Sequence, residues 1–542
     1  MSILLEGPVL PFVALAWPLL LGGLMALPPV RDRALMLLPL APLPALALAL
    51  MPLSDQPTEV PGLLLGVRLE TEPLGMGLLG MTAALWLAAG LYALAHMKAP
   101  RKPAIFSGFW CLTLAGNLGV YLAADAVTFY VAFAAVSLAS YFLVVHSRTA
   151  EALRASSVYI IMAVIGEAML LTGFILMMAQ AETFLIADMR DGLMDPGMGN
   201  GQSHVTVAML VIGFGIKTGL MPLHVWLPLA HPAAPVAASA VLSGAIVNAG
   251  LIGLIRFLPE GGTIAAALLL VLGLIGVYAG AVIGVLQQRI KAVLAYSTVS
   301  QMGLILAVVG AGLLAAGDPS VETAGYYGIH HGLAKGALFL AVGWIPLLRG
   351  SARWMALALV AMLCASVAGW PMTGGGLAKA AIKPVFPSAL AWVVTATGVT
   401  TTCVLMRYLF LLVNAPSRDA AGEGTRVMGL TVATIGLAAL TVPWVLWSTY
   451  DPRPMAYVMG TDTLRNGAWP VVAGLALAAL AWRLDKVIRV RPAVPEGDLL
   501  VAVEAMLRSL ASGLNPLAHR AIGQRRPASG SPDTADKASQ SD

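Results

Sequence analysis

Apolar runs of about 20 residues follow one another along most of this chain of 542 residues. A helix of that length crosses the roughly 30 Å hydrocarbon core of a bilayer, where only helices and closed barrels satisfy every backbone polar group. The composition agrees, since 59% of the residues are hydrophobic and only 11% are charged, which is unlike a soluble globular domain. We therefore predict an all-α polytopic membrane protein with about 14–15 transmembrane helices. The runs lie near residues 8–28, 34–53, 74–97, 105–123, 126–146, 157–179, 205–226, 235–257, 263–287, 291–314, 324–348, 354–384, 387–413, 426–447 and 468–485.

Basic residues fall in alternate loops between these runs, and acidic residues fall in the others. Cytoplasmic loops are the ones enriched in lysine and arginine, so we predict a cell inner-membrane protein with its N-terminus outside and its C-terminal tail in the cytoplasm. Arg256, at the outer end of its run, is the one local exception. We therefore interpret the basic residues behind the formal charge of +5 as signals of membrane topology, and we expect no nucleic-acid partner. The basic loops carry Arg31 and Arg33, then Lys98, Arg101 and Lys102, then Arg148 and Arg154, then Arg289 and Lys291, then Arg349 and Arg353, then Arg418 and Arg426.

Two lysines, Lys217 and Lys379, interrupt apolar runs, and each is followed at the fifth residue by a proline, Pro222 or Pro384. A charged lysine at bilayer depth costs roughly 2.5–3.5 kcal/mol on insertion scales, and proline removes a backbone donor that hydrocarbon cannot replace. Both are tolerated where they line a polar interior, so the repeated pattern predicts two broken helices and ion movement. The glycine triplet at 374–376 is expected to unwind the helix around Lys379, because the sequence around this lysine does not match a phosphate-binding loop.

Further titratable and polar residues extend this predicted ion path. His224 and His231 lie among prolines just after Lys217 and could pass protons, although they could instead anchor a loop at the membrane interface. Asn248 could hold water in the path or make an interhelical hydrogen bond. Lys383, four residues after Lys379, is assigned to the same secondary path.

The centre of the predicted path is the pair His331 and Lys335, which are four residues apart and share a helix face. His330 precedes them, and Ser297, Ser300 and Gln301 on the neighbouring run could hold water between them. Such a group would connect the Lys217 and Lys379 sites. The three cysteines show no metal-ligand spacing, and no dinucleotide, iron–sulfur or haem pattern is present, so we expect no cofactor and no metal in this chain.

The strings around Lys217 to Arg256, Gln288 to Gly303, His331 to Gly343 and Pro371 to Lys379 closely resemble the antiporter-like subunits shared by respiratory complex I, Mrp-type cation/proton antiporters and membrane-bound hydrogenases. The resemblance covers roughly residues 60–415. It implies a helix bundle with two inverted five-helix repeats, each containing a broken helix. Carried over by position, Lys217 is the lysine of the first broken helix, His331 and Lys335 are the central relay, and Lys379 is the charged residue of the second broken helix.

The chain departs from that family at two positions. The family usually has a glutamate where this chain has Ala134, and many members have a lysine where it has Asn248. Glu167 is the only acid in the middle of an apolar run, and we hypothesise that it replaces the missing glutamate as the partner of Lys217. The alternative is a structural hydrogen bond at a helix interface.

These observations predict a proton-translocating subunit of a multisubunit complex, which works with other membrane subunits, with protons and possibly with Na⁺. The host could be a complex I-like quinone oxidoreductase or an Mrp-like antiporter, and alternatives are a hydrogenase-4-like complex, an inorganic-carbon uptake complex or a stand-alone cation/proton antiporter. An enzymatic role would come only from the host. The predicted organisation is N-terminal helices at 1–104, repeats at 105–257 and 258–415, C-terminal helices at 416–490, an amphipathic cytoplasmic segment at 491–523 and a disordered tail at 524–542.

Overall fold

The computed structural model describes residues 7–97, 103–193, 200–261, 263–315, 320–417, 422–488, 494–501, 504 and 506. Apart from one short hairpin, the regular structure of these residues is helical. The helices are α1 Val9–Ala26, α2 Ala34–Leu37, α3 Leu43–Ala49, α4 Pro73–His96, α5 Pro103–Leu122, α6 Ala126–Val144, α7 Ala150–Ala181, α8 Ile186–Gly192, α9 Asn200–Thr218, α10 Trp226–Ala233, α11 Val236–Val241, α12 Val247–Phe257, α13 Ile264–Leu286, α14 Ile290–Leu314, α15 Ser320–Trp344, α16 Gly350–Ala368, α17 Gly374–Ile382, α18 Ala391–Val413, α19 Glu423–Tyr450, α20 Met455–Met459 and α21 Thr461–Ile488. The antiparallel hairpin pairs β1 Thr58–Val60 with β2 Val67–Leu69.

Thirteen helical segments of the described residues are long and apolar enough to cross a membrane. This count takes the consecutive helices within 31–49 as one segment and those within 236–257 as another. Two further passes do not meet these requirements of length and apolar composition, because one is interrupted and the other carries charged and polar residues. α9 and α10 form one pass that is interrupted, and α15 is 25 residues long but carries His330, His331 and Lys335. Thirteen plus these two gives fifteen candidate passes among the described residues, and the all-α polytopic fold is confirmed.

The passes form two successive groups of five. The first group is α5, α6, α7, α9 with α10, and α11 with α12; the second is α13, α14, α15, α16 with α17, and α18. In both groups the fourth pass is the interrupted one. Because five is odd, the second group enters the membrane from the opposite face, which makes the two repeats inverted.

The centre of the bundle is formed by helices that are buried on all sides. Every residue of α14 from Ala292 to Leu313 is buried, as is every residue from Ala237 to Leu254 in the preceding buried pass. Outer helices such as α7 and α19 expose one apolar stripe, as expected for helices that face lipid. Polar groups on α14 and α15 are therefore shielded from lipid by the rest of the bundle.

Arg256, the exception to the charge pattern, has a structural role. Its guanidinium donates to the carbonyl oxygens of Val120, Tyr121 and Ala123 at the end of α5, at 2.7–3.2 Å, and pairs with Glu72 at 2.8 Å. A cation at a helix C-terminus satisfies carbonyls that lack intrahelical partners. This explains an arginine on the acidic side of the protein.

The chain divides into two compact units, Met1–Glu496 and Gly497–Asp542. Only 497–501, 504 and 506 are described in the second unit, and a short helical turn begins there at Asp498. Most of the predicted amphipathic segment and all of the predicted disordered tail lie outside the described residues.

Candidate functional site

The first interrupted helix places Lys217 beside its break. α9 ends at Thr218, and the segment 219–225 contains Gly219 at φ +76° and a cis peptide bond at Met221–Pro222 before α10 begins. Trp226 donates from its indole N–H to the Ile216 carbonyl oxygen at 2.7 Å, so a side chain bonds this carbonyl beside the break. Lys217 is only 5% exposed. The proline-rich sequence therefore produces a helix end inside the bundle, with a lysine one residue before it.

The Lys217 ammonium is surrounded by aromatic and hydroxyl groups of α6 and α7. Its Nζ lies 3.4 Å from the Tyr159 hydroxyl, 5.4 Å from the centroid of the Phe133 ring and 5.7 Å from that of the Tyr159 ring. Tyr159 also shares a hydrogen bond of 2.5 Å with Ser140. Ring faces attract a cation without taking its proton. Sequence reasoning missed Tyr159 and Ser140, because nothing in their local sequence separates them from ordinary packing residues.

Glu167 and Lys217 line the same small cavity, together with Ser137, Tyr159 and Gly213. The cavity holds about 10 Å³, close to the space that one water molecule needs. Among the described residues, neither carboxylate oxygen of Glu167 has a hydrogen-bond partner, and no ion pair within 4.0 Å joins it to Lys217. Glu167 and Lys217 therefore share one small cavity without a direct ion pair.

The two histidines that follow Lys217 are both fully buried. His224 lies within the break, and His231 lies in α10 with its ring stacked 4.7 Å from the ring of Phe339 on α15. Both side chains are therefore enclosed by the helices of the bundle and not exposed at its surface. His231 thus lies between the first break and α15.

Lys335 and His331 lie on α15 at the centre of the bundle, both at most 1% exposed. The Lys335 ammonium donates to the Leu294 carbonyl of α14 at 3.2 Å. Neither ring nitrogen of His331 has a hydrogen-bond partner among the described residues. The predicted pair therefore shares one helix face in the buried core.

His330 connects the centre to the second interrupted helix. Its Nε2 lies 3.0 Å from the Ser366 hydroxyl on α16, and that hydroxyl accepts a hydrogen bond from the Gly375 N–H of α17, also at 3.0 Å. Sequence reasoning grouped His330 with the central relay but missed Ser366. A serine one turn before a helix break offers only a weak signal.

Ser300 and Gln301, expected to hold water beside His331, are mainly bonded to other elements. Ser300 donates to the Val277 carbonyl of α13 at 2.8 Å. Gln301 donates to Thr401 of α18 at 2.9 Å and accepts a hydrogen bond from Tyr327 of α15. The structure turns Ser300 away from the relay, whereas Gln301 ties α14 to both α15 and α18.

Asn248 belongs to the pass that contains a π-helical turn, Leu242–Ile246. Its amide donates to the Gly244 carbonyl at 2.9 Å, and its Oδ1 has no partner among the described residues. The Oδ1 lies against Gly328 of α15, where an added Cβ would be 3.0 Å away. Asn248 therefore faces α15, the helix that carries His331. This position fits both predicted roles, which are holding water in the path and making an interhelical hydrogen bond.

The second interruption differs from the one predicted. α16 ends at Ala368, the break spans 369–373 with Gly369 at φ +96°, and the glycine triplet at 374–376 forms the first turn of α17. The expectation that these glycines unwind the helix is wrong. A Cβ on Gly375 would lie 1.8 Å from the Ser366 carbonyl oxygen, so glycine is required there for close packing against α16.

Lys379 lies on α17, after its break, whereas Lys217 lies before its break. Its ammonium donates to the Ala368 carbonyl at 2.9 Å, at the C-terminal end of α16. Pro222 lies within the first break, but Pro384 follows α17 in a 3-10 turn. The lysine–proline spacing therefore located both broken helices without marking equivalent positions in them.

A larger cavity of about 150 Å³ lies next to Lys379. Lys379 and Lys383 line it from one side, and Asp462, Thr463 and other residues of α21 line it from the other. Lys383 donates to the Asn466 carbonyl at 3.1 Å. Lys379 therefore shares this cavity with residues at the start of α21.

Comparisons with known proteins agree with this geometry. The family profile described as NADH:quinone oxidoreductase/Mrp antiporter, TM, matches residues 123–404. The chain is 28% identical over 452 residues to hydrogenase-4 component B of Escherichia coli, covering 76% of this chain and 66% of that protein. It is 29% identical over 298 residues to a Na(+)/H(+) antiporter subunit of Bacillus subtilis, covering 53% and 58%.

A solved structure of the Mrp complex from Dietzia sp. DQ12-45-1b contains a chain with the same fold. The TM-score is 0.74 at 22% identity, and the match covers 97% of this chain and 64% of that chain. This chain therefore spans about two thirds or less of the length of these three relatives.

Proposed function

Since this chain belongs to the NADH:quinone oxidoreductase/Mrp antiporter transmembrane family, we propose that it carries protons through the membrane as one subunit of a larger complex. The observation that supports this most is the set of buried bases Lys217, His331, Lys335 and Lys379, which are each at most 9% exposed. Lysine and histidine exchange protons, and ionisable groups at membrane depth are costly unless they serve an ion path.

The proposed path begins at Glu167 and Lys217. While the carboxylate is near, its attraction holds a proton on the Lys217 ammonium, and when that attraction weakens the proton can leave. The water-sized cavity between them lets the carboxylate act at a distance. The aromatic rings of Phe133 and Tyr159 accommodate the charge without competing for the proton.

From Lys217 the proton would move toward His331 and Lys335 and then to Lys379. His231 and His331 have ring nitrogens without partners among the described residues, and buried polar atoms of this kind are usually bonded to water. His330 and Ser366 provide a bonded link from α15 to the second break. Lys379 then faces the cavity shared with Lys383 and Asp462.

The energy for this transport would come from partner subunits. The relatives named above belong to hydrogenase and Mrp systems, so we propose that other membrane subunits surround this chain, with no cofactor or metal of its own. Na⁺ as a second ion and an inorganic-carbon uptake host are compatible with the same path, as is a stand-alone cation/proton antiporter. Subunits that co-purify with the chain would identify the host.

We also propose that the N-terminus and the Lys379 cavity face outward and that the C-terminal tail is cytoplasmic. The support is the alternation of basic loops along the fifteen passes. In this orientation the loop around Arg289 is cytoplasmic, and α21 begins on the outer side.

The test is proton flux in inverted membrane vesicles that contain the whole complex. Lys217→Ala and Lys379→Ala should abolish pumping by removing the proton carriers. Lys217→Arg and Lys379→Arg should also fail, because arginine keeps the charge but does not release its proton in proteins.

Arg190→Ala is the matched control, because it removes one positive charge from the exposed side of α8, where Arg190 pairs only with Asp191 among the described residues. It should pump like the wild type. Normal pumping in both arginine variants would contradict proton exchange at these lysines, and normal pumping in the alanine variants would leave the chain a scaffold.

A further inference from the structure

The short helix that carries Lys379 is fixed at its start by neighbouring hydroxyl groups. α17 has nine residues, and Lys379 lies in its second half. The Ser366 hydroxyl accepts a hydrogen bond from the Gly375 N–H at 3.0 Å, and the Thr373 hydroxyl accepts one from the next N–H at 3.1 Å. Because a helix this short has many backbone groups without intrahelical partners, its other end also needs partners from outside.

Arg453 supplies partners at that other end. It lies in the segment 451–454, between α19 and α20. Its Nη2 donates to the carbonyl oxygens of Ala380 and Ala381 at 3.2 and 3.3 Å. These carbonyls belong to the last turn of α17, where carbonyl groups lack intrahelical partners. Arg453 therefore binds α17 directly after Lys379.

The guanidinium of Arg453 is itself held in a fixed direction. Its Nε donates to Asp451 Oδ1 at 2.8 Å and its Nη2 donates to Asp451 Oδ2, and the Asp451 side chain is only 2% exposed. The guanidinium also lies over two rings, 4.0 Å from the centroid of Tyr457 and 5.8 Å from that of Trp447. A planar fork that is bound by a carboxylate and stacked on aromatic rings has few alternative positions.

The position of the Lys379 side chain depends on the distance between α17 and the end of α16. A Cβ on Gly369 would lie 2.6 Å from Lys379 Cδ, so the lysine passes close to the break. Its ammonium then reaches the Ala368 carbonyl. Tyr457, which the Arg453 guanidinium covers, lines the same cavity as Lys379. A shift of α17 would therefore change both the contact of the ammonium and the wall of the cavity.

We propose that Arg453 is a positioning residue for Lys379. By joining the end of α17 to Asp451 and Tyr457, it keeps the Lys379 ammonium on the Ala368 carbonyl and beside the cavity. Removing an ion pair from water offsets much of its Coulomb attraction, so we assign the Arg453–Asp451 pair to geometry rather than to fold stability. The proposal rests on the proposed function only for its transport measurement, because the position of α17 can be measured without pumping.

The first measurement is proton pumping by the whole complex in inverted vesicles. Arg453→Met should lower it by roughly tenfold or more, because a misplacement of about 1 Å can cost about a hundredfold in rate. Arg453→Lys keeps the charge without the planar fork and should recover part of the rate. The matched control is Arg465→Met, which should pump like the wild type. Arg465 lies at the same end of the bundle, is 76% exposed and pairs only with Asp462 among the described residues.

The second measurement is the labelling of two cysteines in the wall of the cavity. Ile382→Cys is at the end of α17 and Val394→Cys is on α18, and both native side chains are buried and line the cavity. The background is Cys403→Ser, because the other two native cysteines are buried. In the purified complex, Arg453→Met should make a maleimide label position 382 roughly tenfold faster, the effect of losing a hydrogen bond to a charged group. Labelling at position 394 should not change.

Wild-type pumping in Arg453→Met would overturn the proposal. Equal increases in labelling at positions 382 and 394 would also overturn it, because they would show a general loosening of the bundle. Asp451→Asn keeps the size of the side chain and one acceptor oxygen, and it should give the same selective labelling. If Arg453→Met does not assemble, unchanged labelling at position 382 in Asp451→Asn decides against the proposal. Normal pumping in Lys379→Ala would contradict the proposed function, while the labelling would still test Arg453.

Discussion

Lys217 and Lys379 accommodate a buried ammonium in different ways. Lys217 lies over two aromatic rings and near a carboxylate with which it makes no direct pair, whereas Lys379 donates to a carbonyl at a helix end. The helix-end carbonyl carries a fixed partial negative charge, while the Glu167 carboxylate can change its charge or move. In the proposed path, control over the proton is therefore concentrated at the first site.

Glu167→Gln keeps the shape of this side chain and removes its charge, so we expect proton pumping to be abolished. The reason is that, in the part of the chain that the structure describes, no other carboxylate lines the cavity that contains Lys217. The measurement is proton uptake by inverted vesicles, normalised to the amount of the chain in the membrane. Wild-type uptake in this variant would show that Glu167 is only a structural residue.

Ala134→Glu in the Glu167→Gln background is the complementary variant, because Ala134 is the position at which the family usually carries the acid. Ala134 lies on α6 next to Phe133, which lines the same cavity. Partial recovery of pumping is expected if the carboxylate can serve Lys217 from either helix. Failure to recover, with normal insertion, would mean that only α7 provides the correct geometry.

At the level of elements, the π-helical turn Leu242–Ile246 holds its helix against α15. Gly244 and Gly332 meet across this contact, since a Cβ on Gly332 would lie 2.4 Å from the Gly244 carbonyl oxygen. Gly332 directly follows His331, so the distance between these two helices also sets the position of the relay. The Tyr121 hydroxyl bonds the Ala245 carbonyl of the same turn at 3.2 Å and fixes it from the other side.

Gly332→Ala should destabilise the protein by about 1–3 kcal/mol, the usual cost of overpacking, and should slow pumping because His331 is displaced. Gly108→Ala on α5 is the control, because an added Cβ there meets nothing within 4 Å. That change should be neutral or slightly stabilising. Thermal unfolding of the purified complex measures both, and equal midpoints for the two variants would contradict the proposed contact.

Much of this fold could be predicted because each pass is specified by its own apolar sequence. The lysine–proline spacing located both broken helices, but the role of the glycine triplet was misread. Its role depends on the Ser366 carbonyl, which no local pattern reveals. Lys217 and Lys379 were identified by their cost in a membrane and Lys335 by the helix face that it shares with His331. Tyr159 and Ser366 are ordinary residues that only the packing places beside Lys217 and His330.

For the whole molecule, the decisive property is its orientation, because it determines which side of the membrane the Lys379 cavity faces. Asp462 lines that cavity and its side chain is 87% exposed. Pro416 is exposed in the loop between α18 and α19, which lies at the opposite end of the bundle. One position on each face is therefore accessible to a reagent.

Asp462→Cys should react with a membrane-impermeant maleimide in spheroplasts, and Pro416→Cys should react only in inverted vesicles, since basic loops remain in the cytoplasm. The background is a Cys403→Ser chain, because Cys111 and Cys364 are buried and Cys403 is only partly so. With this result, a proton that reaches Lys379 can leave to the outside, and transport runs outward from Lys217. The reverse labelling would place the Lys379 cavity at the cytoplasm, so that Lys379 would be the site of uptake.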